Sequence, residues 1–134
     1  MSDAVKILIV DDDVAFAESN RDLLEAYGYE VCVAHDGQEG LKLAKEIVPN
    51  VMILDVMMST ETEGLDVARR IHELPELRRT GVLLVTGVTK ALGGGHPLEP
   101  DDAWLPVDRV LEKPIAPDRL IAEIERALKH KKGQ

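Results

Sequence analysis

Cysteine, aromatic residues, basic residues and long apolar runs are all scarce in this sequence, and each scarcity removes a class of protein. The single cysteine, Cys32, cannot build an internal disulfide framework or a cysteine-rich zinc module. The longest apolar runs, such as Lys6 to Val10 and Val51 to Leu54, have strand length and fall far short of a membrane span. Met1 to Lys6 include Asp3 and lead straight into such a run, which is not the pattern of a secretory signal. Lys and Arg number 16 against 25 Asp and Glu, a net charge of −9. Phosphate neutralisation needs a surplus of cations on one face, so nucleic acid is not the expected partner. The one basic cluster, Lys129 to Lys132 around His130, reads as a solvated helix end. With neither membrane nor nucleic acid implied, the expected location is the cytoplasm. A chain of 134 residues fits one domain with a core of its own. That domain is read over residues 4–131, with 132–134 as a tail.

What the sequence does contain is strand-length apolar runs alternating with segments of helical periodicity, the signature of a parallel sheet covered by helices. Lys6 to Val10 is a continuous, largely β-branched run suited to a strand buried on both faces. The helical pattern after it places Phe16, Leu23, Leu24 and Tyr27 on one face, with Asn20 at its rim and Gly28 as the stop. Tyr29 to Ala34 alternates as a second strand, in which Cys32 is expected to pack as a small apolar residue. Asp36 can cap a helix carrying Leu41, Ala44, Ile47 and Val48, which Pro49 terminates. Val51 to Leu54 makes the third strand, and a helix with Leu65, Ala68, Ile71 and Leu74 stops before Pro75. Val82 to Val85 and Arg109 to Glu112 are the fourth and fifth strands. Pro117 opens a last helix whose inward face is Leu120, Ile121, Ile124 and Leu128. Between Val88 and Val107 the pattern fails: Gly93 to Gly95, Pro97, Pro100 and Pro106 break any long helix. The helix linking strands four and five is therefore expected to be irregular or missing.

Polar residues punctuate the strand ends. Asp11 and Asp12 follow strand one, Asp55 follows strand three, Thr86 closes strand four and Lys113 closes strand five. In an open parallel sheet the carboxyl ends of the strands line the ligand crevice, so these five converge. Asp13, just before a helix, reads instead as its cap. Three carboxylates in one small site need a cation among them, and an all-oxygen set suits a hard divalent ion, most economically Mg²⁺. A phosphoryl group on one carboxylate would then meet the metal, the Lys113 ammonium and the Thr86 hydroxyl on different sides, an arrangement that stabilises phosphoryl transfer.

With those residues in place, the segments KILIVDDD, GYEVCVAHDGQEGL, VMILDVMM, VLLVTG and VLEKPI are similar, in order and spacing, to the receiver domains of response regulators, the chemotaxis regulators among them. The resemblance to these phosphoacceptor modules of two-component signalling covers nearly the whole chain. It implies a flavodoxin-like, doubly wound five-stranded sheet of order 2-1-3-4-5 with helices on both faces. It also implies that Asp55 is phosphorylated and that Asp11 and Asp12 hold Mg²⁺ with the backbone carbonyl of Met57. Thr86 would be the switch hydroxyl, Lys113 the partner of the phosphoryl group, and Lys113–Pro114 a cis peptide. A sensor histidine kinase or phosphotransfer protein would supply the phosphoryl group. Such a module is not an enzyme but promotes its own phosphorylation and dephosphorylation. A stand-alone receiver acting on a protein effector, with no output domain of its own, is expected.

The chain departs from the family at several positions. Ser59 stands where a proline is common, and Glu61 and Glu63 make the loop acidic. Val110 replaces the aromatic that usually changes rotamer on phosphorylation, so the irregular 88–107 segment is expected to carry the read-out. Met57 and Val88 cannot hydrogen-bond an attacking water, which implies slow loss of the phosphoryl group. Trp104 is read as packing under the 88–107 loop, and His35, His72, His96 and His130 as ordinary surface residues. Two rival readings differ in class. One is a phosphorylation-independent interaction module. The other is a phosphatase resembling the haloacid dehalogenases through Asp11 and Asp13, against which Ala15 stands where a Thr or Val is wanted.

Overall fold

Parallel strands and capped helices alternate along the computed structural model, which describes residues 4–55, 63–86 and 107–132. Strand β1 spans Lys6–Val10, helix α1 Val14–Ala26, β2 Glu30–Ala34, α2 Gly37–Ile47, β3 Val51–Asp55, α3 Glu63–Glu73, β4 Gly81–Thr86, β5 Arg109–Glu112 and α4 Pro117–Lys132. A short 3₁₀ turn at Pro75–Leu77, which the helical periodicity did not anticipate, sits between α3 and β4. The strands form one parallel sheet in the order β2-β1-β3-β4-β5. The 88–107 segment, where the linking helix is expected to be irregular or missing, lies outside the described residues apart from Val107, as do Trp104 and His96.

Period-2 alternation divides each inner strand between two cores. Leu8 and Val10 of β1 join Met52, Leu54, Val82 and Leu84 against α2 and α3. Ile7 and Ile9 join Val51, Ile53, Leu83 and Val85 against α1 and α4. Each such side chain, withdrawn fully from water, contributes roughly 2 kcal/mol of apolar transfer energy. The helices start where the sequence places their caps. Asp13 accepts from the Phe16 N–H at 3.1 Å, and Asp36 accepts from the Glu39 N–H at 2.8 Å. Glu39 reaches back to the His35 N–H at 2.9 Å, so two of the donors at the start of α2 are satisfied.

Three positions differ from the sequence reading. Cys32 is exposed, because β2 is an edge strand and the face opposite Val31 and Val33 is left open beside it. Tyr27 lies past the end of α1, 59% exposed, with its ring stacked on Tyr29 at 6.5 Å. Val48 is not on the inward face of α2 but caps its end, exposed and with φ 47°, a left-handed conformation that a β-branched residue rarely adopts.

Helix and sheet approach closely at Gly40 of α2, where a Cβ would lie 2.7 and 2.8 Å from the two methyls of the fully buried Val10. Overpacking costs roughly 1–3 kcal/mol, which outweighs the roughly 0.8–1 kcal/mol that alanine gains over glycine within a helix. Gly40→Ala is therefore expected to lower the urea midpoint, by about 1 kcal/mol in stability. In a Val10→Ala background, where the methyls are gone, the same change should be neutral or stabilising. A midpoint unchanged in the single variant would mean that α2 lifts off the sheet more cheaply than this contact implies.

Candidate functional site

All five strands run in one direction, so their carboxyl ends share a single rim, and the pairing register decides which residues stand side by side there. Val10 pairs with Leu54, which sets Asp11 beside Asp55 one step beyond. Asp55 pairs with Val85 and Thr86 with Glu112, so Thr86 and Lys113 follow along the same rim. The β1/β3 boundary is where strand order reverses: α1, which follows β1, packs on one face of the sheet and α3, which follows β3, on the other, opening a crevice between them. Alternation also selects the face. Asp11, Asp55 and Lys113 each lie two residues beyond Ile9, Ile53 and Leu111, all of the α1/α4 core. Thr86 lies two beyond Leu84, of the opposite core.

Asp11 and Asp55 are buried and Asp12 is exposed, yet one carboxylate oxygen from each lies within 4.8 Å of the others. Lys113 stands among them, its Nζ 3.1 Å from Asp11 Oδ2 and 3.9 Å from Asp55 Oδ2. The ammonium thus offsets part of the repulsion that would otherwise make two buried carboxylates costly. Asp11 is held on its other oxygen by the Asp13 N–H at 2.8 Å, and its own N–H donates to the Ala34 carbonyl. Lys113 is anchored through its backbone N–H to the Thr86 carbonyl at 2.8 Å, and the following peptide to Pro114 is cis. The Thr86 hydroxyl is fully buried and has no hydrogen-bond partner. An orphaned buried hydroxyl at the rim of an anionic pocket is a donor waiting for an acceptor.

The donor set suits a hard cation. Three carboxylates supply oxygen ligands only, and the exposure of Asp12 leaves one side open to water and to a further anionic oxygen. The site can hold a divalent metal, with a nucleophilic carboxylate, an ammonium and a free hydroxyl around it. Met57, whose carbonyl was expected as a further ligand, and Val88 lie outside the described residues. Val110 is half-buried in β5, opposite Leu84, and packs against the α2/α3 core with no ring to move.

Two neighbours of the site were read from sequence only as a core residue and a surface residue. The Phe16 ring lies under Lys113, with Nζ 4.0 Å from its centroid. His35, although exposed, places Nδ1 3.1 Å from the Asp11 carbonyl oxygen. Neither contact has a signal in local periodicity, since each joins residues on different elements. Among the described residues, no helix is long and apolar enough to cross a membrane.

Comparison with known proteins agrees with this geometry. The sequence profile described as "Response regulator receiver domain" matches residues 7–125. The chain is 35% identical to the response regulator MprA of Mycobacterium tuberculosis (strain H37Rv) over a 135-residue alignment that covers 98% of the chain and 54% of that protein. The MprA of Mycobacterium avium is similar at 35% identity, with 97% of the chain and 54% of the relative covered. The chain therefore spans about half the length of the curated relatives it matches. Among solved structures, a receiver domain protein from Methanospirillum hungatei superposes with a TM-score of 0.78 at 26% identity, covering 97% of this chain and 98% of that one. One from Clostridium thermocellum gives 0.78 at 28% identity, covering 96% and 97%.

Proposed function

Since the chain belongs to the response regulator receiver domains, we propose that Asp55 is its phosphoacceptor and that Mg²⁺ is the cation held by Asp11, Asp12 and Asp55, with the Met57 carbonyl as a further ligand. The receiver unit is taken as residues 4–131. The phosphodonor is a phosphohistidine on a sensor kinase or phosphotransfer protein, and the output is a changed surface read by another protein. As in other receivers, the chemistry is self-directed: the chain modifies its own carboxylate and turns over no separate substrate.

The observation that carries this reading is Lys113 Nζ lying within 3.9 Å of both buried carboxylates of the cluster. An Asp55 oxygen attacks phosphorus, the new O–P bond forms as the P–N bond of the donor breaks, and the departing imidazole takes a proton from solvent. Bound Mg²⁺ supplies charge neutralisation at the phosphoryl oxygens. Lys113 then exchanges its Asp11 partner for a phosphoryl oxygen, and the orphaned Thr86 hydroxyl gains an acceptor. Asp11, already fixed by the Asp13 N–H, needs no rearrangement to serve as a ligand.

Incubation with acetyl phosphate and Mg²⁺ should add one phosphoryl group to the intact mass, and chelation with EDTA should prevent it. A second reading, a phosphorylation-independent interaction module, is favoured by Val110, which has no ring to couple to Thr86. Absence of any mass gain with metal present would select that second reading.

A further inference from the structure

Lys113 touches more than its two carboxylates. Its ammonium also rests on the only phenylalanine in the chain, 4.0 Å from the ring centroid. That ring belongs to a closed circuit of contacts. The Asp11 carboxylate accepts from the Asp13 N–H at 2.8 Å, and the Asp13 carboxylate accepts from the Phe16 N–H at 3.1 Å. The Phe16 ring faces Lys113, and Lys113 returns to Asp11 at 3.1 Å. Phe16 is further fixed from behind, its carbonyl accepting from Asn20 Nδ2 at 2.8 Å. The ring is not sealed in the core: it is half-buried and lines a groove of about 640 Å³ together with Leu23, Pro114 and Ile115.

We propose that Phe16 is a positioning residue of the phosphorylation site, its ring acting as the seat that holds the Lys113 ammonium between Asp11 and Asp55. The idea rests on the receiver reading above. A lysine stem is flexible, and a side chain that is 21% exposed would otherwise let its ammonium spend time away from the carboxylates. The face of an aromatic ring attracts a cation without competing for the carboxylate oxygens, so it restrains Nζ yet leaves its protons free for a phosphoryl oxygen. An aliphatic side chain of similar bulk fills the space but lacks this attraction.

The consequence is a pair of effects of opposite sign. Lys113 and a divalent cation compete for the Asp11 carboxylate. Phe16→Leu, by releasing the ammonium, should make Mg²⁺ bind about threefold more tightly in calorimetric titration. The same variant should take phosphoryl from acetyl phosphate about fivefold more slowly at saturating Mg²⁺, because the positioned charge is lost. Phe16→Tyr, which keeps a ring, should restore both. In a Lys113→Met background Phe16→Leu should change neither. General loosening of the site would weaken metal binding and phosphorylation together, and would persist without Lys113. The proposal is overturned by a Phe16→Leu variant with unaltered affinity and rate, or by equal effects in the Lys113→Met background. Failure of the receiver reading looks different: the unaltered chain would take up no phosphoryl group, while the calorimetric cycle would still report the Phe16–Lys113 coupling.

Discussion

Asp55→Asn should abolish the metal-dependent phosphoryl gain from acetyl phosphate while leaving the protein folded. The amide has the shape of the carboxylate, so the end of β3 keeps its packing, but its oxygen is too weak a nucleophile to attack phosphorus at a useful rate. The change also removes one negative charge of three at a rim where oxygens from Asp11, Asp12 and Asp55 lie within 4.8 Å of one another. Relief of repulsion offsets the weakened pairing with Lys113, and the thermal midpoint should move by only a few degrees. Divalent affinity should fall, since one of three charged ligands becomes neutral. Intact mass, thermal unfolding and calorimetry on the same sample separate these effects. A phosphoryl group retained on Asp55→Asn would place the acceptor elsewhere on the chain.

The second large effect belongs to Lys113. Lys113→Met keeps a flexible stem over Phe16 and deletes the charge that stands 3.1 Å from Asp11 and 3.9 Å from Asp55. Leaving one partner of a buried ion pair alone costs roughly 3–5 kcal/mol. Lys113 is 21% exposed, and water screens the pair, so a loss of about 2 kcal/mol is expected without metal. A divalent cation can take over the compensation of the carboxylates, and saturating Mg²⁺ should therefore recover most of the lost stability. It should not recover the rate. A pre-placed donor at developing negative charge contributes roughly 10²–10³ in rate, and phosphorylation should be slower by about that factor even in saturating metal. Equal recovery of stability and rate would reduce Lys113 to a counter-ion with no part in the transfer.

The agreement between sequence and structure is uneven for definite reasons. β1 has the limits of its apolar run, because a strand buried on both faces is almost continuously hydrophobic and its ends are visible. The caps at Asp13 and Asp36 were equally legible, since a capping side chain bonds to an N–H only three residues away. Cys32 and Tyr27 were misread because burial is not a property of residue type. β2 has a neighbour on one side only, and Tyr27 is the cap beyond the end of α1, past its last buried residue, Leu24.

Local pattern alone therefore determined an alternating α/β chain with carboxylates, a hydroxyl and an ammonium at the strand ends, for these are features of period and spacing. Tertiary structure decided what those groups do to one another. Only the setting of β1 beside β3 brings Asp11 to Asp55, and only the register of β5 on β4 carries Lys113 to them, 102 residues along the chain from Asp11. The seat that Phe16 provides is of the same kind: a contact between α1 and the end of β5 has no period to announce it, and arises when both pack on one face of the sheet.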